Sequence, residues 1–182
     1  MKRHQLLIIL MLFIFNISSF SQRIDTLYYD NAGKGVETKE FASYIGYASY
    51  AKDVNFGNRI RVYYADSNTL YMEGSFLSID KYDMTKGAYD GERRAYYKNG
   101  NMMQISNFKN GVKNGETKEY YENGQLQGEF NYKDGIFDNV NISYYQNGLI
   151  HKKSTFANGK LNGILYEFPE DGKSCNQLEY KD

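Results

Sequence analysis

The sequence predicts an all-β protein: an elongated single-layer antiparallel meander of tandem β-hairpins, preceded by an N-terminal signal helix and a short irregular cap. Three observations predict it. The chain of 182 residues carries 19 Tyr, 11 Phe and 17 Gly but one Pro and no Trp, a composition that favours strands and turns over a helical bundle. From Gly91 onward it repeats every 24 residues without gaps. The repeats also set Asn-Gly or Asp-Gly between strand-like runs, the strongest short-range hairpin signal, because a type I′ turn needs positive φ at both central residues.

The elements follow in chain order. Lys2, Arg3 and His4 precede an apolar run from Leu6 to Ile17, and Ser19 and Ser21 supply small residues for a cut after Ser21. Residues 1–21 therefore read as a signal peptide, since the run falls short of the roughly 20 apolar residues a bilayer-spanning helix needs. Cleavage would take Lys2 and Arg3 and no acid, leaving 20 basic against 22 acidic residues and a net charge near −2. Export to the periplasm or the cell exterior is the expected localisation. Contact with the membrane is expected only through the signal segment.

Residues 22–57 read as an N-terminal cap. Asp25 to Tyr29 is strand-like and ends at Asp30-Asn31-Ala32-Gly33, Glu37 to Tyr44 suggests a short helix, and Tyr44, Tyr47 and Tyr50 recur among small residues. Residues 58–90 read as a degenerate repeat. Tyr63-Tyr64 precedes a longer turn at residues 65–69, Leu70, Met72, Gly74 and Phe76 alternate, and a loose loop spans Ser78 to Lys86.

Residues 91–182 are the clean array. Tyr96, Tyr120, Tyr144 and Phe168 align, as do Tyr97, Tyr121 and Tyr145, and as do Phe108, Tyr132, Phe156 and Tyr180. One set of turn dipeptides falls at Asn99-Gly100, Asn123-Gly124, Asn147-Gly148 and Asp171-Gly172; the other falls at Asn110-Gly111, Asp134-Gly135 and Asn158-Gly159. Two turns per repeat leave strands of roughly ten residues, about 33 Å each. A two-residue turn at Asn123-Gly124 pairs Tyr121 with Leu126. Thr117, Glu119, Tyr121, Leu126, Gly128, Phe130 and Tyr132 then share a semi-apolar face, and Glu116, Lys118, Tyr120, Gln125, Gln127 and Glu129 a wetter one. The turn at Asp134-Gly135 pairs Tyr132 with Phe137 and sets Phe130 opposite Asn139. That column is glycine in the other repeats, so a ring would cover bare backbone.

The motif Tyr120-Tyr121-Glu122-Asn123-Gly124 with Leu126, its copy Tyr144-Tyr145-Gln146-Asn147-Gly148 with Ile150, and the join Asn158-Gly159-Lys160-Leu161-Asn162-Gly163 resemble the MORN-repeat-variant family. In bacteria this family is often labelled YwqK-like antitoxins. The resemblance covers Asp90 to Asp182 and implies stacked hairpins; its antitoxin label implies neutralisation of a toxin, and eukaryotic members suggest lipid-surface binding.

Residue chemistry argues against an enzyme. Past the signal segment there is one His, His151, and one Cys, Cys175. Both fall on the wet face with no flanking catalytic motif, and together they are too few for zinc. No phosphate loop or dinucleotide fingerprint is present, and no cofactor is expected. A near-neutral, slightly acidic chain disfavours nucleic acid. The candidate interaction surface is Tyr96, Tyr120 and Tyr144 with Arg94 and Lys118 beside them, because tyrosine offers a large, rigid, amphipathic contact. The expected partner is a protein or a cell-surface polymer.

Overall fold

The computed structural model describes residues 23–51 and 57–180; the predicted signal segment lies outside them. The strands are β1 (Arg23–Tyr29), β2 (Tyr44–Tyr50), β3 (Asn58–Tyr64), β4 (Leu70–Ser78), β5 (Ala88–Tyr96), β6 (Met102–Lys109), β7 (Val112–Tyr120), β8 (Leu126–Lys133), β9 (Ile136–Phe137), β10 (Asn139–Tyr144), β11 (Ile150–Ala157), β12 (Lys160–Leu161), β13 (Gly163–Glu167) and β14 (Asn176–Tyr180). They form one antiparallel sheet. Sequence neighbours are hydrogen-bonded neighbours along β1 to β8, then β10, β11, β13 and β14, with β9 on β8 and β12 on β11. This is the meander that the turn spacing demands.

The two sets of turns differ, which corrects the expectation that both are type I′. Asn110, Asp134 and Asn158 have φ of 50–52°, and their glycines also lie at positive φ, so these are two-residue type I′ turns. At the other set only the glycines Gly100, Gly124, Gly148 and Gly172 are left-handed. Tyr121 N–H donates to the Gln125 carbonyl and Gly124 N–H to the Tyr121 carbonyl. The loop is therefore Glu122-Asn123-Gly124, a type I turn closed by a glycine bulge. Its cause is local: the Asn123 carboxamide oxygen accepts from Gln125 N–H at 3.0 Å, as Asn99, Asn147 and Asp171 accept from the residue two positions on. That bond holds the Asx residue at negative φ and leaves the left-handed position to glycine. Leu126 consequently pairs with Tyr120, not Tyr121, and an irregularity beside Tyr120 restores the expected register, with Thr117 opposite Phe130 and Glu119 opposite Gly128.

A second correction concerns the glycine column. Gly91, Gly115, Asn139 and Gly163 oppose Phe108, Tyr132, Phe156 and Tyr180 of their own repeat. All four have positive φ; Gly115, Asn139 and Gly163 each follow a type I′ turn, whereas Gly91 follows the β4–β5 connection, and Asn139 thus faces Phe156 and not Phe130. Phe130 covers a different glycine: a Cβ on Gly128 would sit on its ring edge. Rings do shield bare backbone here, with other partners than the turn lengths suggest.

The N-terminal residues form one end of the sheet. Residues 23–50 contribute two full strands in continuous register with β3. The expected helix is reduced to a single 3-10 turn at Lys39–Phe41, because Tyr44 onward is drawn into β2. The β1–β2 connection also crosses to the β4–β5 connection. Gly35 N–H donates to the Tyr82 carbonyl, Met84 N–H to the Gly33 carbonyl, and Tyr29 OH to the Asp80 carbonyl at 3.1 Å. The first five strands are thereby closed over one face. That core face buries Tyr29, Ala48, Ile60, Val62, Met72, Phe76 and Tyr89. The ion pair of Lys34 Nζ with Asp83 at 2.5 Å pins the closure. The Lys34 ammonium, then the Thr85 hydroxyl, holds the Asp83 carboxyl well below the usual carboxylate range.

Candidate functional site

On β3, Ile60 and Val62 point into the core, so Arg59, Arg61 and Tyr63 face outward. The same parity runs along the sheet. Tyr47 opposes Arg61, Arg61 opposes Glu73, Glu73 opposes Arg94, Arg94 opposes Ile105, Ile105 opposes Lys118 and Lys118 opposes Glu129. The predicted basic residues Arg94 and Lys118 thus lie in one row across the outer face.

Charges in that row are paired. Arg61 Nε meets Glu73 at 3.3 Å, Arg94 meets Glu92 at 2.6 Å, and Lys118 lies 3.3 Å from Glu129 and 3.5 Å from Glu116. The Glu129 bond to the Lys118 ammonium, then the charge of Glu116, raises the lysine above its ordinary value and keeps it charged.

Tyr96, Tyr120 and Tyr144 occupy the next column toward the glycine-bulge turns. All three are half-buried. Tyr96 OH donates to Glu73 at 3.2 Å and Tyr144 OH to Glu129 at 3.0 Å. Burial first, and the neighbouring carboxylate after it, raises both phenols. Two of the three rings are therefore held in fixed orientation by glutamates that sequence reasoning passed over. Parity alone puts Glu73 and Glu129 in the basic row, but not which tyrosine each one meets.

The second tyrosine of each pair does different work. Tyr64 OH donates to the Tyr96 carbonyl at 3.1 Å, Tyr97 to Tyr120 at 2.8 Å, Tyr121 to Tyr144 at 2.7 Å and Tyr145 to Phe168 at 2.8 Å. Each staples one hairpin to the next. Burial pushes the Tyr64 phenol up to about 12. Asn99 and Asn147 side chains add amide bonds to the Glu122 and Glu170 carbonyls of the following turn. At the other end of the strands, Gly111 N–H donates to the Tyr89 carbonyl, Gly135 to Lys113 and Gly159 to Phe137. The repeat is a stacking unit at both ends, and its first tyrosine is the one turned outward.

His151 packs its ring on Tyr145 at 4.5 Å between centroids. Cys175 lies 3.8 Å from the Asn176 carbonyl and from the Gln177 side chain. No hydrogen bond joins His151 to Cys175 among the described residues. The described residues hold no cluster of three or more His, Cys, Asp or Glu arranged to take a metal. None of the described helices is long and apolar enough to cross a membrane.

No curated protein and no solved structure matches the chain. Residues 89–110 and 113–134 each match the MORN repeat variant. The two matches start 24 residues apart and cover β5–β6 and β7–β8, hairpin for hairpin. The stretch from Tyr89 to Asp134 thus resembles a tandem of MORN repeat variants, and MORN repeats are generally protein- or lipid-interaction modules.

Proposed function

We propose that the protein is a non-enzymatic interaction module of the bacterial envelope that docks a protein or surface polymer on its outer face. The observation that carries this reading is the tyrosine column. Tyr96, Tyr120 and Tyr144 recur once per hairpin, and two of them are held by partly buried hydrogen bonds to Glu73 and Glu129. Rings held before binding lose little entropy on contact. Arg94 and Lys118 beside them supply charge for orientation. The envelope location is supported by the leader-like composition of residues 1–21.

Affinity capture from envelope extract tests the proposal. Replacing Tyr96, Tyr120 and Tyr144 together by Ser should abolish capture while β-type circular dichroism persists. Capture undiminished by the triple change would remove this face. An antitoxin role would make the captured partner a toxin, and co-expression that relieves its toxicity would identify it. A second reading, attachment to a lipid surface, is favoured by exposed Val112, Ile136, Val140 and Ile164 on the outer face of the later repeats. Co-sedimentation with neutral vesicles, lost on changing Val112 and Ile136 to Ser, is its test.

A further inference from the structure

The outer face is not uniform. Over β2–β5 it sinks into a cavity of about 650 Å³, lined among others by Tyr47, Arg59, Arg61, Tyr63, Glu73 and Arg94. That volume lies in the usual range for small-ligand sites. Its lining residues all stand on strands β1–β5, so the groove is a feature of the sheet and not of one loop.

Its chemistry is specific. Three guanidiniums face two carboxylates, Glu73 and Glu92. Arg61 and Arg94 each have one of those acids. Arg59 has no ion-pair partner among the described residues, so one positive charge is unmatched. Arg59 and Arg61 stand two positions apart on one strand, about 7 Å. Tyr47 is 43 % exposed, and its ring meets Tyr63 edge-on at 5.9 Å, which leaves a ring face open beside the unmatched arginine. The row from Tyr47 to Arg94 crosses three strand spacings, roughly 14 Å.

We propose that this groove binds a carboxylate-bearing saccharide, a uronic-acid unit within a short stretch of polymer. A guanidinium fork matches a carboxylate in two parallel hydrogen bonds, and the surplus of one cation selects a monoanion per binding step. A sugar ring presents a C–H-rich face to an aromatic ring such as Tyr47. Its hydroxyls both donate and accept, which suits a wall of alternating Glu73, Glu92 and arginine. Two carboxylates held inside the groove at once would meet Glu73 and Glu92 as repulsion, so one uronate unit enters while its neighbours stay outside, and a neutral sugar would leave Arg59 unmatched. The inference rests on the interaction-module reading and names a ligand class for it; Glu73 and Arg94 serve both surfaces, but Arg59 and Tyr47, which carry the test, lie outside the tyrosine column.

Calorimetric titration of the full chain with trigalacturonate, maltotriose and triglutamate tests it. Trigalacturonate should bind, and maltotriose and triglutamate should each bind at least about tenfold more weakly. Arg59→Ala should weaken trigalacturonate about tenfold, with Arg59→Lys between the two. Tyr47→Ala should also weaken it, whereas Lys173→Ala, on an exposed turn far along the chain, should leave it unchanged. Added salt should weaken binding, because charge pairing drives it. No binding of trigalacturonate, equal binding of maltotriose, tighter binding of triglutamate, or an Arg59→Ala protein that binds as before would each overturn the proposal. If trigalacturonate fails while the tyrosine triple variant still loses its partner, the groove falls and the module reading stands.

Discussion

Strands β1–β5 and strands β6–β14 belong to one sheet, yet they are stabilised in different ways. The first five are closed by bonds between two long connections and bury a cluster of Ala48, Ile60, Val62, Met72, Phe76 and Tyr89. In the later strands the buried row on the same face is Ser106, Thr117, Asn141 and Ser154, with Leu165 at its end. Ser106 Oγ, Thr117 Oγ1 and Asn141 Nδ2 find no hydrogen-bond partner among the described residues. There the sheet stays single-layered, and stability comes from neighbour-to-neighbour staples and from rings along one column. Phe137 meets Tyr132 at 4.8 Å and Phe156 at 5.1 Å, and Lys113 sets its ammonium 4.7 Å from the Tyr132 ring. Burial lowers the Lys113 ammonium below its ordinary value, consistent with its stem filling the place where other repeats carry a ring or leucine. The difference teaches that a repeat array needs no apolar core of its own, provided each unit is tied to the next, whereas an unrepeated end is closed by burial.

That contrast is breakable. Met72→Ala should cost about 2–5 kcal/mol by transfer and cavity terms, seen as a lower urea midpoint; a loss below about 1 kcal/mol would mean the closed region has no tight core. The next effect concerns the Lys34–Asp83 pin. Because the Asp83 carboxyl is depressed in the folded state, its contribution is full above the unfolded carboxylate range near pH 4 and is lost as pH falls below it. Asp83→Asn should therefore lower stability at neutral pH and flatten the acid limb of stability against pH. An unchanged acid limb would show that the pin carries nothing.

In the array, Gly111→Ala should cost about 1–2 kcal/mol for the left-handed backbone, with an added penalty because its Cβ would lie 3.2 Å from Ala88. Gly100→Ala meets open space and should cost less; thermal melts giving equal losses would argue that turn stacking is unimportant. Tyr121→Phe removes one staple and should cost about 1 kcal/mol, read as faster amide exchange in β8 and β10. Last, Thr117→Val removes an unpartnered buried hydroxyl and should stabilise by roughly 1 kcal/mol or less. A destabilised Thr117→Val protein would mean that the hydroxyl has a partner.

Much of the array was legible because glycine and asparagine report backbone conformation directly. The 24-residue spacing gave strand number, order and the register of Thr117 on Phe130, and the same spacing separates the two MORN repeat matches. Arg94, Lys118 and the three tyrosines were placed on the wetter face by parity alone. The turn types were not legible from the dipeptide, since Asn99-Gly100 and Asn110-Gly111 are chemically identical; a side-chain bond two residues onward separates them. Nor were Glu73 and Glu129 as holders of Tyr96 and Tyr144, because that requires knowing which residues meet across neighbouring strands.

The amino-acid order by itself determined the local reversals, the alternation of faces and hence the meander, because these depend on φ preferences and a period of two along each strand. Only the tertiary structure decided that residues 23–50 join the sheet, that Gly33 and Gly35 meet Met84 and Tyr82, and that side chains of the first five strands line a groove beside Arg59. Those contacts join residues about 50 positions apart. Nothing in a local pattern specifies them, since they follow from how far a twisted sheet must bend before Tyr29 and Met72 leave water together.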